Sequence, residues 1–133
     1  MVHESATITM IQRLAWVFGI VLILIGVLGF VPALAPGGLL FGIFSFDVMH
    51  NAIHLLSGVL AILAAWKSEH YSQLYFKVFG IIYAIATVFG FLQGDTVLGL
   101  IAVNTADNIL NLIVAAVALW AGFGAKTAMP ATA

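Results

Sequence analysis

The sequence predicts an all-α protein, a polytopic membrane four-helix bundle made of two tandem, parallel-related helical hairpins. Three observations predict this fold: the composition, four apolar segments of membrane-spanning length, and an internal repeat. The chain has 133 residues, of which 64% are hydrophobic and 7% are charged, whereas a soluble domain is about 45–50% apolar and about 25% charged. So few charged side chains cannot cover a water-exposed surface. We therefore expect a single transmembrane domain over residues 1–133, with the lipid bilayer as its surroundings.

Charge and residue usage exclude several functions. The formal net charge is −1 and no cluster of Lys or Arg is present, so the basic patch needed to bind nucleic acid is missing. The chain has no cysteine, which excludes disulfides, thiolate metal sites and cysteine nucleophiles. No Gly-rich phosphate loop or Ser-His-Asp arrangement is visible. The sequence therefore favours a protein that is not an enzyme.

Each predicted helix is a long apolar segment. Such a segment needs about 20 residues to cross the hydrocarbon core, and a helix satisfies its own backbone polar groups there. The four segments cover approximately residues 14–34, 48–66, 73–93 and 106–124. Short stretches of Pro, Gly or charged residues separate these segments. The first and third connections each contain a short apolar sequence, which we expect to pack over the end of the bundle.

The cations predict the orientation of the chain. With four crossings, all four Lys and Arg residues fall on one side of the membrane: Arg13, Lys67, Lys77 and Lys126. Because the side that carries Lys and Arg faces the cytoplasm, both termini are predicted to be cytoplasmic.

The chain contains one internal repeat. Val-Phe-Gly-Ile at residues 17–20 recurs at 78–81, and Asn51 corresponds to Asn108. The two copies cover about residues 14–66 and 73–124 and enter the membrane in the same direction, so a pseudo-twofold axis along the membrane normal should relate them. The repeat gives the first apolar segment a partner, which argues against its removal as a signal peptide.

Polar residues interrupt the beginnings of the second and fourth segments at equivalent positions. His50 and His54 are four residues apart and share one helix face, as do Asp107 and Asn111. At about 1.5 Å per residue, the cluster lies roughly 5–10 Å below the helix starts. We expect the pseudo-twofold to bring these residues together near the non-cytoplasmic face: Asp47, His50, Asn51, His54, Asn104, Asp107, Asn108 and Asn111.

Three interpretations of this cluster remain open. In the structural one, which we favour, Asp47 and Asn104 cap their helices and the deeper side chains hydrogen-bond between helices. In the second, His50, His54 and Asp107 bind a divalent metal such as Zn²⁺, with water as a fourth ligand. In the third, the same His and Asp residues handle protons or ions, which a bundle of four helices would achieve by oligomerising.

Two motifs carry a family resemblance. They are Phe-x-x-x-His-Asn-x-x-His-Leu-Leu-x-Gly from Phe46 to Gly58, and Val-Asn-Thr-Ala-Asp-Asn-Ile-Leu-Asn-Leu from residue 103. With them the chain resembles, over about residues 11–124, a family of small bacterial four-helix membrane proteins named only as a domain of unknown function. The resemblance implies a multi-pass protein of the bacterial plasma membrane without an assigned activity. The chain departs from the pattern at Asp47, where Asn is usual, and at Asn111, where His is usual, which weakens a three-histidine metal site.

We therefore expect a structural or accessory membrane module that self-associates as a homo-oligomer or docks on a larger membrane complex. The alternative is a metal-binding or ion-handling protein that uses His50, His54 and Asp107.

The predicted topology is testable by cysteine labelling, because the chain has no natural cysteine. Cysteines introduced near residues 37 and 95 should react with a membrane-impermeant reagent added from the non-cytoplasmic side. Labelling of either one from the cytoplasmic side would refute the orientation.

Overall fold

Four helices make up most of the computed structural model, which describes residues 7–128. They are α1 (Met10–Leu28), α2 (Val48–Lys67), α3 (Glu69–Gln93) and α4 (Thr105–Leu119), and a π-helical turn (Trp120–Gly124) continues α4. All four, with that turn included, are long and apolar enough to cross a membrane. The predicted fold class, a membrane helical bundle, is confirmed.

A small antiparallel β-hairpin joins the helices of each pair at one end of the bundle, the β-hairpin end. In the first, β1 (Leu39–Leu40) pairs with β2 (Phe44–Ser45); in the second, β3 (Thr96–Val97) pairs with β4 (Ile101–Ala102). The sequence indicated apolar connections here but not strands. Each connection turns through two consecutive residues with positive φ, first Phe41 and Gly42, then Leu98 and Gly99.

The first helix ends earlier than the hydrophobicity suggests. The apolar segment runs to about residue 34, but α1 stops at Leu28. Two 3-10 turns follow, Pro32–Leu34 and Pro36–Gly38. A proline lacks the backbone donor that a continuing helix requires, so the apolar residues beyond α1 belong to the connection.

Glycines bring α1 and α2 into close contact. A Cβ added to Gly58 would lie 2.8 Å from the carbonyl oxygen of Gly19 and 2.9 Å from the amide nitrogen of Ile23. In the other pair, a Cβ on Gly122 would lie 2.7 Å from the Lys77 amide nitrogen. Membrane helices associate through small residues that let backbones approach, and each helix pair follows this rule.

The apolar core lies at the end of the bundle opposite the β-hairpins. Ile11 near the start of α1, Ala65 near the end of α2 and Phe76 of α3 are all at most 1% exposed. Phe18 packs edge-on against Phe76, with ring centroids 5.1 Å apart. The apolar core therefore lies at the end of the bundle where α1 and α3 begin.

Replacing Gly58 by Ala should destabilise the first helix pair. The new methyl group would meet backbone atoms, which cannot move aside as a side chain does, so we expect a loss of about 1–3 kcal/mol in the free energy of unfolding in detergent. The matched control is Gly124→Ala, where the nearest atom is in the Trp120 side chain at 3.2 Å, and the expected change is within about 0.5 kcal/mol. Equal effects of the two substitutions would contradict this account.

Candidate functional site: a polar cluster at the β-hairpin end

The polar cluster begins at the N-termini of α2 and α4, which directly follow the β-hairpins. The first amides of a helix have no partner within the helix, so a side chain must accept from them. The Asp47 Oδ1 atom accepts from the His50 amide at 2.7 Å. In α4, the Asn104 Oδ1 atom accepts from the Asp107 amide, and the Asp107 carboxylate accepts from the Asn104 amide, both at 2.9 Å. The two predicted caps are present in the structure.

The same side chains also join the two helix pairs. The second oxygen of Asp47 accepts from the Ala102 amide of β4 at 3.0 Å, and the His50 ring lies 2.9 Å from the Ala102 carbonyl oxygen. In the opposite direction, the side-chain Nδ2 atom of Asn104 donates to the Ile43 carbonyl oxygen at 2.8 Å. Each helix start is thus bonded to the β-hairpin of the other pair. We call these contacts the clamp.

The two histidines of α2 are neighbours in space. The ring centroids of His50 and His54 lie 4.5 Å apart, and both side chains are buried. Because a carbonyl oxygen can only accept, the bond to Ala102 requires the hydrogen of His50 to be on Nδ1. The Nε2 atom of a neutral His50 then carries the lone pair that is open to a further partner.

Two buried asparagines fit against glycines within the helix pairs. The Asn108 side chain donates to the Gly90 carbonyl oxygen at 3.0 Å. A Cβ on Gly90 would overlap the Asn108 side chain, and a Cβ on Gly29 would overlap that of Asn51. These asparagines therefore hold adjacent helices together within each pair.

The remaining predicted site residues lie in two environments. Two cavities lie between the helices, and His54 and Asn111 line both of them. His50 lines one of the two, and Asp107 lines neither. Within residues 7–128, no group of three or more His, Asp or Glu side chains is placed to hold a metal ion. The divalent metal site of His50, His54 and Asp107 stays a prediction.

The sequence reasoning missed Tyr83. Its side chain is 6% exposed in the middle of the bundle, and its hydroxyl oxygen is buried. The Ser57 side chain is the polar group beside this hydroxyl. A tyrosine ten residues inside an apolar span is an available signal, because buried Tyr hydroxyls normally find a partner.

The four apolar helices and the polar residues at one end define a multi-pass membrane protein of the helical-bundle type. The family model for the domain of unknown function DUF4383 matches residues 12–124. The chain belongs to this family, as the resemblance predicted. Comparison with curated proteins and with solved structures finds no match to this chain.

Proposed function

We propose that this protein is a structural or accessory membrane module whose polar cluster fixes the two helix pairs to each other. The clamp is the observation that supports this function. Asp47 and Asn104 accept hydrogen bonds from backbone amides, and so does Asp107, which is one of the three candidates for metal or ion chemistry. Side chains used in this way maintain a fold and are less free to bind a ligand.

We also propose that the two halves are copies of one unit, related by a pseudo-twofold axis. Both halves have the element order helix, β-hairpin, helix. The positive-φ residues Phe41 and Leu98, at 57 and 56°, occupy equivalent turns. Leu40 and Val97, 3% and 6% exposed, are the equivalent buried strand residues. This duplication explains why the clamp is reciprocal.

The proposed location is the bacterial plasma membrane, with both termini in the cytoplasm. Lys67 lies at the end of α2, and Arg13 lies in the first turn of α1. Both are at the end of the bundle opposite the β-hairpins, which the distribution of cations would place on the cytoplasmic side. The clamp would then face the non-cytoplasmic side.

The outward faces of the helices are apolar. Leu56, Trp66 and Leu92 are 60, 71 and 76% exposed, so these side chains contact lipid or another membrane protein. We propose that such a face mediates homo-oligomerisation or docking on a larger membrane complex, as an accessory module requires.

Replacing Asp47 by Ala tests the clamp. The substitution removes a helix cap, which costs about 0.5–2 kcal/mol, and leaves the Ala102 amide without its acceptor, which adds about 1–3 kcal/mol. We expect a total loss of about 1.5–5 kcal/mol in the free energy of unfolding and faster hydrogen exchange at the Ala102 amide.

The matched control is Ser68→Ala. Ser68 caps α3 by accepting from the Tyr71 amide, at the end of the bundle away from the clamp. This variant should lose only about 0.5–2 kcal/mol and leave the exchange of the Ala102 amide unchanged. A structural role for the clamp is refuted if Asp47→Ala behaves like this control.

A divalent metal site is the second candidate, and the adjacent rings of His50 and His54 favour it. Elemental analysis of the purified protein separates the two functions. A structural cluster gives sub-stoichiometric metal in the wild type, with the same content in His50→Ala and in the control His70→Ala. One equivalent of metal that is lost only in His50→Ala would instead establish the metal site.

A further inference from the structure

The turns of the two β-hairpins carry large apolar side chains that are exposed. Phe41 and Ile43 in the first turn are both 53% exposed, and Leu98 and Leu100 in the second turn are 54% and 64% exposed. We call these four side chains the tip residues. Each half of the chain thus presents two large apolar side chains outside its own core.

The backbone of the turns is unfavourable for the residues that occupy it. Phe41 and Leu98 have φ of 57 and 56°, and each is followed by a glycine that also has positive φ. Turns with two such residues normally carry Asn-Gly or Asp-Gly, because a bulky side chain at positive φ is strained. More than half of each of these two side chains is exposed, so packing within the chain offsets little of the strain. Such an outlier points to a contact outside the chain.

The connections that carry the tip residues have the composition of a surface that faces lipid. Residues 29–46 contain no charged residue, and Ser45 is their only polar side chain. Residues 96–103 also contain no charged residue, and Thr96 is their only polar side chain. Turns in water are normally polar, and exposed apolar patches mark contacts with a membrane or a protein.

The distribution of the tip residues favours a membrane over a partner protein. They occur at equivalent turns, so the apolar surface is present once on each helix pair. A bilayer surrounds the bundle and meets both halves, whereas a single protein docked on one side meets one. Besides the cap Asp47, Asp95 is the one charged residue in these two connections. It precedes β3, and its carbonyl oxygen accepts from the Val103 amide at 3.1 Å, so this charge lies at the other end of the strand from Leu98.

We propose that the tip residues anchor both β-hairpins in lipid, at the boundary between the headgroups and the acyl chains. Apolar side chains bind at this level through the apolar area that they bury. Lipid then reaches the helix starts, so the clamp lies below the membrane surface and is shielded from water. The anchor does not depend on the side of the membrane that the β-hairpins face, nor on whether the polar cluster binds a metal.

The test attaches a nitroxide spin label to single cysteines, because the chain has no natural cysteine. The protein is reconstituted into vesicles of phosphatidylcholine and phosphatidylglycerol. Electron paramagnetic resonance measures the accessibility of the label to oxygen, which concentrates in lipid, and to a water-soluble nickel chelate present on both sides. In Phe41→Cys and Leu98→Cys, the ratio of oxygen to nickel accessibility should be several-fold higher than in the control Asp95→Cys. It should match the ratio in Leu56→Cys, at a position that is 60% exposed on α2.

A second pair of variants keeps the test decisive if the turn variants do not fold. Ile43→Cys and Leu100→Cys report the same surfaces at residues without positive φ. The proposal is overturned if the labels at the tips contact nickel as readily as the label in Asp95→Cys, because the tips then lie in water. It is also overturned if both reagents are excluded, because the tips then contact another protein. Broadening of the spectrum by a second label would identify that protein as another copy of this chain.

Discussion

The constraint on which this structure depends is that backbone polar groups need partners where lipid offers none. Within a helix the i to i−4 bonds satisfy these groups, so the unsatisfied ones are the first amides and the last carbonyls of each helix. The amides lie where a helix begins. At the β-hairpin end two such places lie side by side. The Asp47 and Asn104 side chains accept from their own helix starts and also bond to the opposite β-hairpin. The need to satisfy a helix end therefore also joins the two halves.

Different interactions act at different depths of the bundle. At the end opposite the β-hairpins, buried apolar residues such as Phe76 and Ala118 form the core. Along each helix pair, glycines such as Gly19 and Gly58 permit close backbone contact. This packing holds the helices together, because lipid provides no hydrophobic driving force for their association. The clamp acts at the β-hairpin end. The cavities lie between the clamp and the core.

The sequence predicted what depends on composition and regular spacing. Hydrophobic length predicted four helices, and the positions of Asp47 and Asn104 predicted helix caps that the structure contains. It did not predict the β-hairpins, because two-residue strands are too short to show alternation. Phe41 and Leu98 also take positive φ, a conformation that the residue type does not indicate. The cavities and the burial of Tyr83 depend on the distance between helices, which no spacing along one helix encodes.

The equivalent positions of the two halves separate what the fold requires from what it does not. Gly29 with Asn51 and Gly90 with Asn108 form the same close contact twice, so both helix pairs use these residues for packing. At Leu22 and Tyr83, and at Val114 and Ser57, the equivalent residues differ, and these positions line the cavities. The asparagine–glycine contact is therefore a requirement of the fold, whereas side chains of different chemistry are accommodated around the cavities.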